Sequence, residues 1–168
     1  MPRVQNMQVE EIFNFQVEEI QEEYLEKLSD FGVNKEDNSN NLALRSLLSE
    51  LFYLDEKVMY SRSQIEWVSK AVEESIYPSS QFTYGTVPLS AFIELFSSFE
   101  EEFSKMKKEG KAFFALGSSI GWVAFLAHLY FGFKNVVGIE LIENLQSISE
   151  FLNQKYKLGN NIHFEHGD

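Results

Sequence analysis

The stretch Phe113-Phe114-Ala115-Leu116-Gly117-Ser118-Ser119-Ile120-Gly121 decides the fold of this sequence. A short apolar run followed by a turn rich in glycine and serine predicts a buried β-strand and a tight loop. The mostly apolar residues 122–131 predict a helix, and Val136-Val137-Gly138-Ile139-Glu140 predicts a second strand that ends in a carboxylate. The order strand, loop, helix, strand is that of a parallel βαβ unit.

The same alternation continues toward the end of the chain. Residues 142–156 predict a further helix, and Ile162-His163-Phe164-Glu165-His166 alternates like a third strand. The fold class is therefore α/β, with strands one to three of a partial Rossmann-like sheet.

The residues before this sheet predict helices. Residues 8–28 and 44–72 place apolar side chains at three- and four-residue steps, the second run being interrupted near residues 60–63, and residues 92–103 predict a helix with a phenylalanine-rich face. We expect an N-terminal helical region over residues 1–78 and a partial α/β domain over residues 79–168.

The composition excludes several classes of protein. The chain has 168 residues, 26 Asp and Glu against 14 Lys and Arg, a net charge of −12 and no cysteine. Disulfides, thiolate metal sites and cysteine nucleophiles are excluded, and the acidity argues against autonomous binding to nucleic acid, which needs clustered Lys and Arg. No secretory signal is predicted, which favours an intracellular protein. The acidic helix 8–28 is either a solvated face or a docking face for a basic protein.

Four interpretations of residues 112–140 compete. In a nucleotide-type site the glycine loop approaches a ligand, and Glu140, 19 residues after Gly121, binds ribose hydroxyls. The pattern G-x-S-x-G would instead make Ser119 a hydrolase nucleophile. Residues 112–133 carry no charged side chain and are long enough for a membrane span. The fourth interpretation is a packed βαβ unit without a ligand.

No metal site is predicted. His163 and His166 are three residues apart on a predicted strand, so their side chains point to opposite faces.

The sequence resembles class I S-adenosylmethionine-dependent methyltransferases, and more specifically the non-SET histone-lysine methyltransferases of the Dot (disruptor of telomeric silencing) family. Thr83-Tyr84-Gly85 ahead of a helix, residues 113–140 and Gly167-Asp168 carry the resemblance. The resemblance implies that S-adenosylmethionine is the cofactor and that its site includes Tyr84, Gly85, Thr86, Ala115, Gly117, Ser118, Ser119, Gly121, Glu140 and Asp168. In the family, the Tyr-Gly loop covers the cofactor, the glycine loop approaches its methionine part, and the two strand ends bind ribose and adenine.

The sequence departs from the family pattern at three of these positions. The family has Asp where this chain has Ala115, Gly where it has Ser119, and usually an acidic residue where it has Thr86. The alternative function is therefore a catalytically inactive binding or scaffold module with the same fold.

The resemblance also implies a basic partner and a nuclear protein. A histone, a nucleosome or another basic protein would be the methyl acceptor. The family's acceptor channel lies beyond Asp168, so no catalytic residue is named and this chain alone is expected to be inactive. Ending after strand three leaves strand one as an open apolar edge. We expect the chain to be a fragment, or this edge to pair with another chain.

Overall fold

A computed structural model describes residues 44, 46–51, 53–54, 62–74 and 89–167. Residues 44, 46–51, 53 and 54 are helical and are called the leucine segment here. Helices α1 (Arg62–Glu74), α2 (Leu89–Ser98) and α3 (Glu100–Lys108) follow before the first strand. The predicted acidic helix 8–28 lies outside the described residues.

The described strands form one parallel sheet in the order β1-β2-β3. They are β1 (Phe113–Leu116), β2 (Val136–Glu140) and β3 (Ile162–His166). Helix α4 (Trp122–Leu129) joins β1 to β2, and helix α5 (Glu143–Lys155) followed by a short 3-10 turn (Gly159–Asn161) joins β2 to β3. The structure confirms the predicted partial Rossmann-like α/β fold with helices ahead of the sheet.

The two faces of the sheet differ in burial because side chains alternate along a strand. In register, Ala115 of β1 lies beside Gly138 of β2, which lies beside Phe164 of β3. All three are buried on the face that packs against α4 and α5. This face forms the centre of the core.

The opposite face of β1 is open. Its side chains Phe114 and Leu116 are 58% and 77% exposed, and β1 has a described strand neighbour on one side only. Exposed apolar side chains on an unpaired edge are a recognised liability for association with other chains. The sequence prediction of an open apolar edge at strand one agrees with this arrangement.

The predicted helix over residues 92–103 is divided in two. Phe99 leaves helical geometry with φ −115° and ψ 26°, and a new helix begins at Glu100. Ser98 Oγ donates to the carbonyl oxygen of Glu94 at 2.9 Å, a side-chain bond that competes with helix continuation. The acidic residues 100–102 then stabilise the amino end of α3. Periodicity alone does not reveal this break.

Aromatic side chains fix α2 and α3 against the start of the sheet. Phe96 stacks on Phe131 with ring centroids 4.3 Å apart and lies 5.7 Å from Phe113. Phe103 meets Phe133 edge to face at 5.7 Å. The phenylalanine-rich face of residues 92–103 is thus mainly core, as its spacing predicts, although Phe99 is 46% exposed.

The leucine segment joins the same apolar core as the sheet. Leu47, Leu48 and Leu51 are almost completely buried in the cluster that also contains α4 and α5 side chains. Glu50, on the same segment, is 8% exposed, and its carboxylate accepts hydrogen bonds from Lys155 Nζ at 2.6 and 2.7 Å. The hydroxyl of Tyr156 donates to the same carboxylate at 2.7 Å. A partly buried ion pair therefore connects the leucine segment to the end of α5.

The contact between Glu50 and Tyr156 predicts that the protein loses stability at alkaline pH. Burial, and then the hydrogen bond and charge of Glu50, raise the pKa of Tyr156 above its usual value. Above about pH 10 the unfolded chain releases the phenol proton while the folded chain keeps it, so stability falls by up to about 1.4 kcal/mol per pH unit. In urea unfolding, wild type should lose about 1 kcal/mol more stability than Tyr156→Phe between pH 9 and pH 11, because phenylalanine has no proton to release. Parallel pH curves for the two proteins would contradict this assignment.

Candidate functional site

The carboxyl ends of the three strands and the glycine loop, residues 117–121, meet at one edge of the sheet. The backbone N–H of Ser118 donates to the carbonyl oxygen of Ile139 at 2.9 Å, which ties the loop to β2. The N–H of Gly167 donates to the carbonyl oxygen of Glu140 at 3.0 Å, which ties the end of β3 to the end of β2. In open α/β sheets this edge is where ligands bind.

Glu140 is the charged centre of this edge. Its side chain is only 7% exposed. Oε2 accepts the backbone N–H of Ser119 at 2.7 Å, and Oε1 accepts the N–H of Ile142 at 2.9 Å. A carboxylate has about four acceptor positions, so two remain for further donors such as ribose hydroxyls. Glu140 therefore holds the loop and the start of α5 together while keeping acceptor capacity.

Ser119 is fixed on both sides of its α-carbon. Its N–H is held by Glu140, and its carbonyl oxygen lies 3.0 Å from Ser149 Oγ on α5. Ser149 is fully buried, and its hydroxyl also lies 3.2 Å from the carbonyl oxygen of Leu145. Sequence reasoning missed Ser149. The only signal was a small polar residue beside Ile148 on the apolar face of the predicted helix.

The backbone of Ser119 has φ +52°, in the left-handed region that favours glycine. A Cβ in this conformation costs about 1–2 kcal/mol, partly offset by the greater freedom of glycine in the unfolded chain. We expect Ser119→Gly to be more stable than Ser119→Ala by about 1 kcal/mol in denaturant unfolding. Both variants lose the hydroxyl, so the comparison isolates the Cβ. Equal stability of the two would contradict this expectation, because the strain would then be no larger than the entropy that glycine loses on folding.

The glycines of the loop serve different purposes. Gly117 has φ +67°, and a Cβ built there would meet no atom within 4 Å, so the space beside it can admit a ligand. At Gly121 a Cβ would lie 2.5 Å from the ring of Phe125. At Gly138 it would lie 2.4 Å from the ring of Phe164. Gly121 and Gly138 are thus needed for close packing of α4 and β3.

The remaining predicted site residues fall into two groups. Ala115 and Ser118 are 6% and 3% exposed, and the hydroxyl of Ser118 has no hydrogen-bond partner. Their side chains face the interior, and the backbone of Ser118 is also engaged, since its N–H donates to Ile139 and its carbonyl oxygen accepts the N–H of Gly121 at 2.8 Å. Tyr84, Gly85, Thr86 and Asp168 lie outside the described residues.

The hydrolase interpretation requires a histidine that contacts Ser119 and takes its proton. His128 Nδ1 lies 2.9 Å from the carbonyl oxygen of Phe133, and His166 Nε2 lies 2.9 Å from that of Leu141. His163 Nε2 is 3.8 Å from Glu165 on the exposed face of β3. Each histidine thus has a partner other than the proposed nucleophile, Ser119.

The apolar stretch 112–133 is divided between β1, the glycine loop and α4. Among the described residues, no helix is long and apolar enough to cross a membrane. Nor do three or more His, Asp or Glu side chains of the described ranges come together in a cluster that could hold a metal ion.

A parallel sheet with a glycine loop after β1 and a buried carboxylate at the end of β2 defines a partial Rossmann-like fold with a candidate nucleoside-binding edge. Comparison with protein families then identifies the chain. The profile of the family described as "Histone methylation protein DOT1" matches residues 60–163, which is more than half of the chain. The chain belongs to this family, as its resemblance to the Dot methyltransferases predicts. No curated protein and no solved structure gave a match.

Proposed function

We propose that this chain is a protein of the histone-lysine methyltransferase class that binds S-adenosylmethionine at the carboxyl edge of its sheet. The cofactor supplies a methyl group carried on a sulfonium. The observation that supports the proposal most is Glu140, a buried carboxylate beside the glycine loop with acceptor capacity left. Membership of a histone methylation family also supports binding of a methyl donor.

The described residues suit the cofactor at two of its parts. Glu140 would accept the ribose hydroxyls, and the open space beside Gly117 would admit the methionine part. The backbone of Ser118 and Ser119 would line the same loop, while Gly121 would keep the loop close to α4 through its packing on Phe125. Tyr84, Gly85, Thr86 and Asp168 would complete the site as the resemblance implies.

Ala115 favours a second candidate, a scaffold module that kept the fold without the cofactor. The family's carboxylate at this position helps to hold the ammonium group of the cofactor, and Ala115 has none. Charge-assisted hydrogen bonds contribute about 1.5–3 kcal/mol each, so its loss would weaken binding by one to two orders of magnitude, roughly. The two candidates differ in whether any cofactor binding remains.

The methyl acceptor would be a lysine on a histone within the nucleosome, and the protein would work in the nucleus. A net charge of −12 favours contact with the basic histone surface and opposes contact with the DNA of the nucleosome. A lysine must be neutral to accept a methyl group, so a site that excludes water and aligns the amine would carry the rate. Residues for that step are not assigned to the described part of the chain.

Calorimetric titration of the whole chain with S-adenosylmethionine tests the proposal. We expect saturable heat, with S-adenosylhomocysteine competing for the same site. Absence of heat at millimolar ligand, with the chain shown to be folded, would reject cofactor binding and leave the scaffold module. Transfer of labelled methyl groups to nucleosomes would then show whether this chain also provides acceptor chemistry.

A further inference from the structure

A small cavity lies beside Glu140, between α1 and the turn that follows β2. Its volume is about 150 Å³. Trp67 and Ala71 of α1 form one wall, and Leu141 and Ile142 of the turn form another. The N–H of Ile142 is the donor to Glu140 Oε1, so the cavity adjoins the proposed ribose-binding carboxylate directly.

The walls and the rim of this cavity differ in chemistry. The four wall residues are apolar or aromatic, whereas the other five lining residues are polar or charged: Lys70 and Glu74 of α1, Glu143 and Asn144 of α5, and His166 at the end of β3. His166 is itself fixed, since Nε2 lies 2.9 Å from the carbonyl oxygen of Leu141. An aromatic wall beside polar groups offers a bound ring both a contact face and hydrogen-bonding partners.

The cavity is large enough for part of a ligand but too small for the whole cofactor. Sites for complete drug-sized ligands occupy about 300–1,000 Å³, several times this volume. A single ring system is small enough for this volume, and the face of an indole, as in Trp67, can stack on an aromatic ring.

We propose that Trp67 forms a wall of the subsite for the base of the nucleoside, so that α1 contributes a specificity-determining residue to the cofactor site. This inference rests on the proposed binding of ribose by Glu140. It also gives α1 a direct part in ligand binding, although this helix ends at Glu74, well before β1 begins at Phe113.

The fluorescence of Trp67 provides the first test. The chain has two tryptophans, Trp67 and Trp122, so Trp122→Phe leaves Trp67 as the single indole emitter. Titration of this variant with S-adenosylmethionine, and separately with adenosine, should change the emission saturably. Methionine alone should leave it unchanged. Unchanged Trp67 emission while calorimetry shows the cofactor bound would overturn the inference and leave the proposed function standing.

Affinity measurements provide the second test. Trp67→Leu keeps an apolar side chain but removes the ring, and should weaken binding of both S-adenosylmethionine and adenosine about tenfold, equivalent to about 1.4 kcal/mol. Ile65→Ala, at a position 68% exposed on the same helix, is the matched control and should bind as wild type does. Equal affinity of Trp67→Leu and wild type would overturn the inference. Failure of folded wild type to bind either ligand would overturn the inference and the proposed function together.

Discussion

Replacing Glu50 by alanine should lower the free energy of unfolding by about 2–4 kcal/mol. The substitution leaves the ammonium of Lys155 without its carboxylate and the partly buried hydroxyl of Tyr156 without its acceptor. Breaking a fully buried ion pair costs about 3–5 kcal/mol. We expect a smaller loss for Glu50→Ala because the side chain of Lys155 is 34% exposed and can be hydrated. Denaturant unfolding at neutral pH measures the loss.

Glu73→Ala is the matched control for this experiment. Glu73 is an exposed helical glutamate of α1, and its replacement should change stability by less than about 0.5 kcal/mol. A double-mutant cycle with Lys155→Met should give a coupling energy of about 1–3 kcal/mol. A loss at Glu50 no larger than that at Glu73 would show that the buried pair does not stabilise the fold.

The sequence does not reveal the role of Glu50. Its two partners lie 105 and 106 residues further along the chain, and no local pattern encodes so distant a contact. A glutamate among leucines at helical spacing is ordinarily assigned to the solvated face. Burial of Glu50 arises from the packing of the leucine segment against the sheet, which periodicity does not describe.

The βαβ unit itself could be predicted because its signals are local. Residues 113–116 and 136–140 are short, apolar and partly β-branched, and glycines mark the loop between the first strand and α4. The predicted strand 162–166 shows the expected alternation of buried and exposed residues from Ile162 to Glu165, and His166 at its end is exposed. The break at Phe99 escaped prediction because the apolar residues keep helical spacing through it, and that spacing does not encode the side-chain bond from Ser98 observed beside the break.

The candidate site was predictable in position but not in its internal bonding. The spacing between Gly121 and Glu140 indicated a carboxylate near the glycine loop. In the structure this carboxylate accepts the N–H of Ser119 in that loop. That the carboxylate binds backbone donors, and that Ser149 holds the other side of Ser119, depends on three-dimensional geometry. These bonds define how the loop is held, and they make the site sensitive to a change at Glu140.

Glu140→Gln should both destabilise the chain and strongly weaken its binding of S-adenosylmethionine. The carboxylate accepts two backbone N–H groups, one on each oxygen, whereas an amide has a single acceptor oxygen. Its NH₂ group would face one of these donors, leaving that N–H unpaired in a site where the side chain is 7% exposed. An unsatisfied buried donor costs about 1–3 kcal/mol, and the remaining bond loses its charge assistance. We therefore expect a loss of about 2–4 kcal/mol in the free energy of unfolding.

The effect on binding separates a structural role of Glu140 from a role in the cofactor site. Glu165→Gln, at an exposed position on β3, is the matched control and should leave both stability and affinity close to those of wild type. Calorimetry of the folded Glu140→Gln protein, at a temperature well below its unfolding transition, should give about a hundredfold weaker binding if Glu140 makes the two proposed charge-assisted bonds to ribose hydroxyls. Destabilisation with unchanged affinity would restrict Glu140 to bracing the loop. Lost affinity with unchanged stability would instead show that its bonds to Ser119 and Ile142 contribute little to the fold, and that its main role is to hold the ligand.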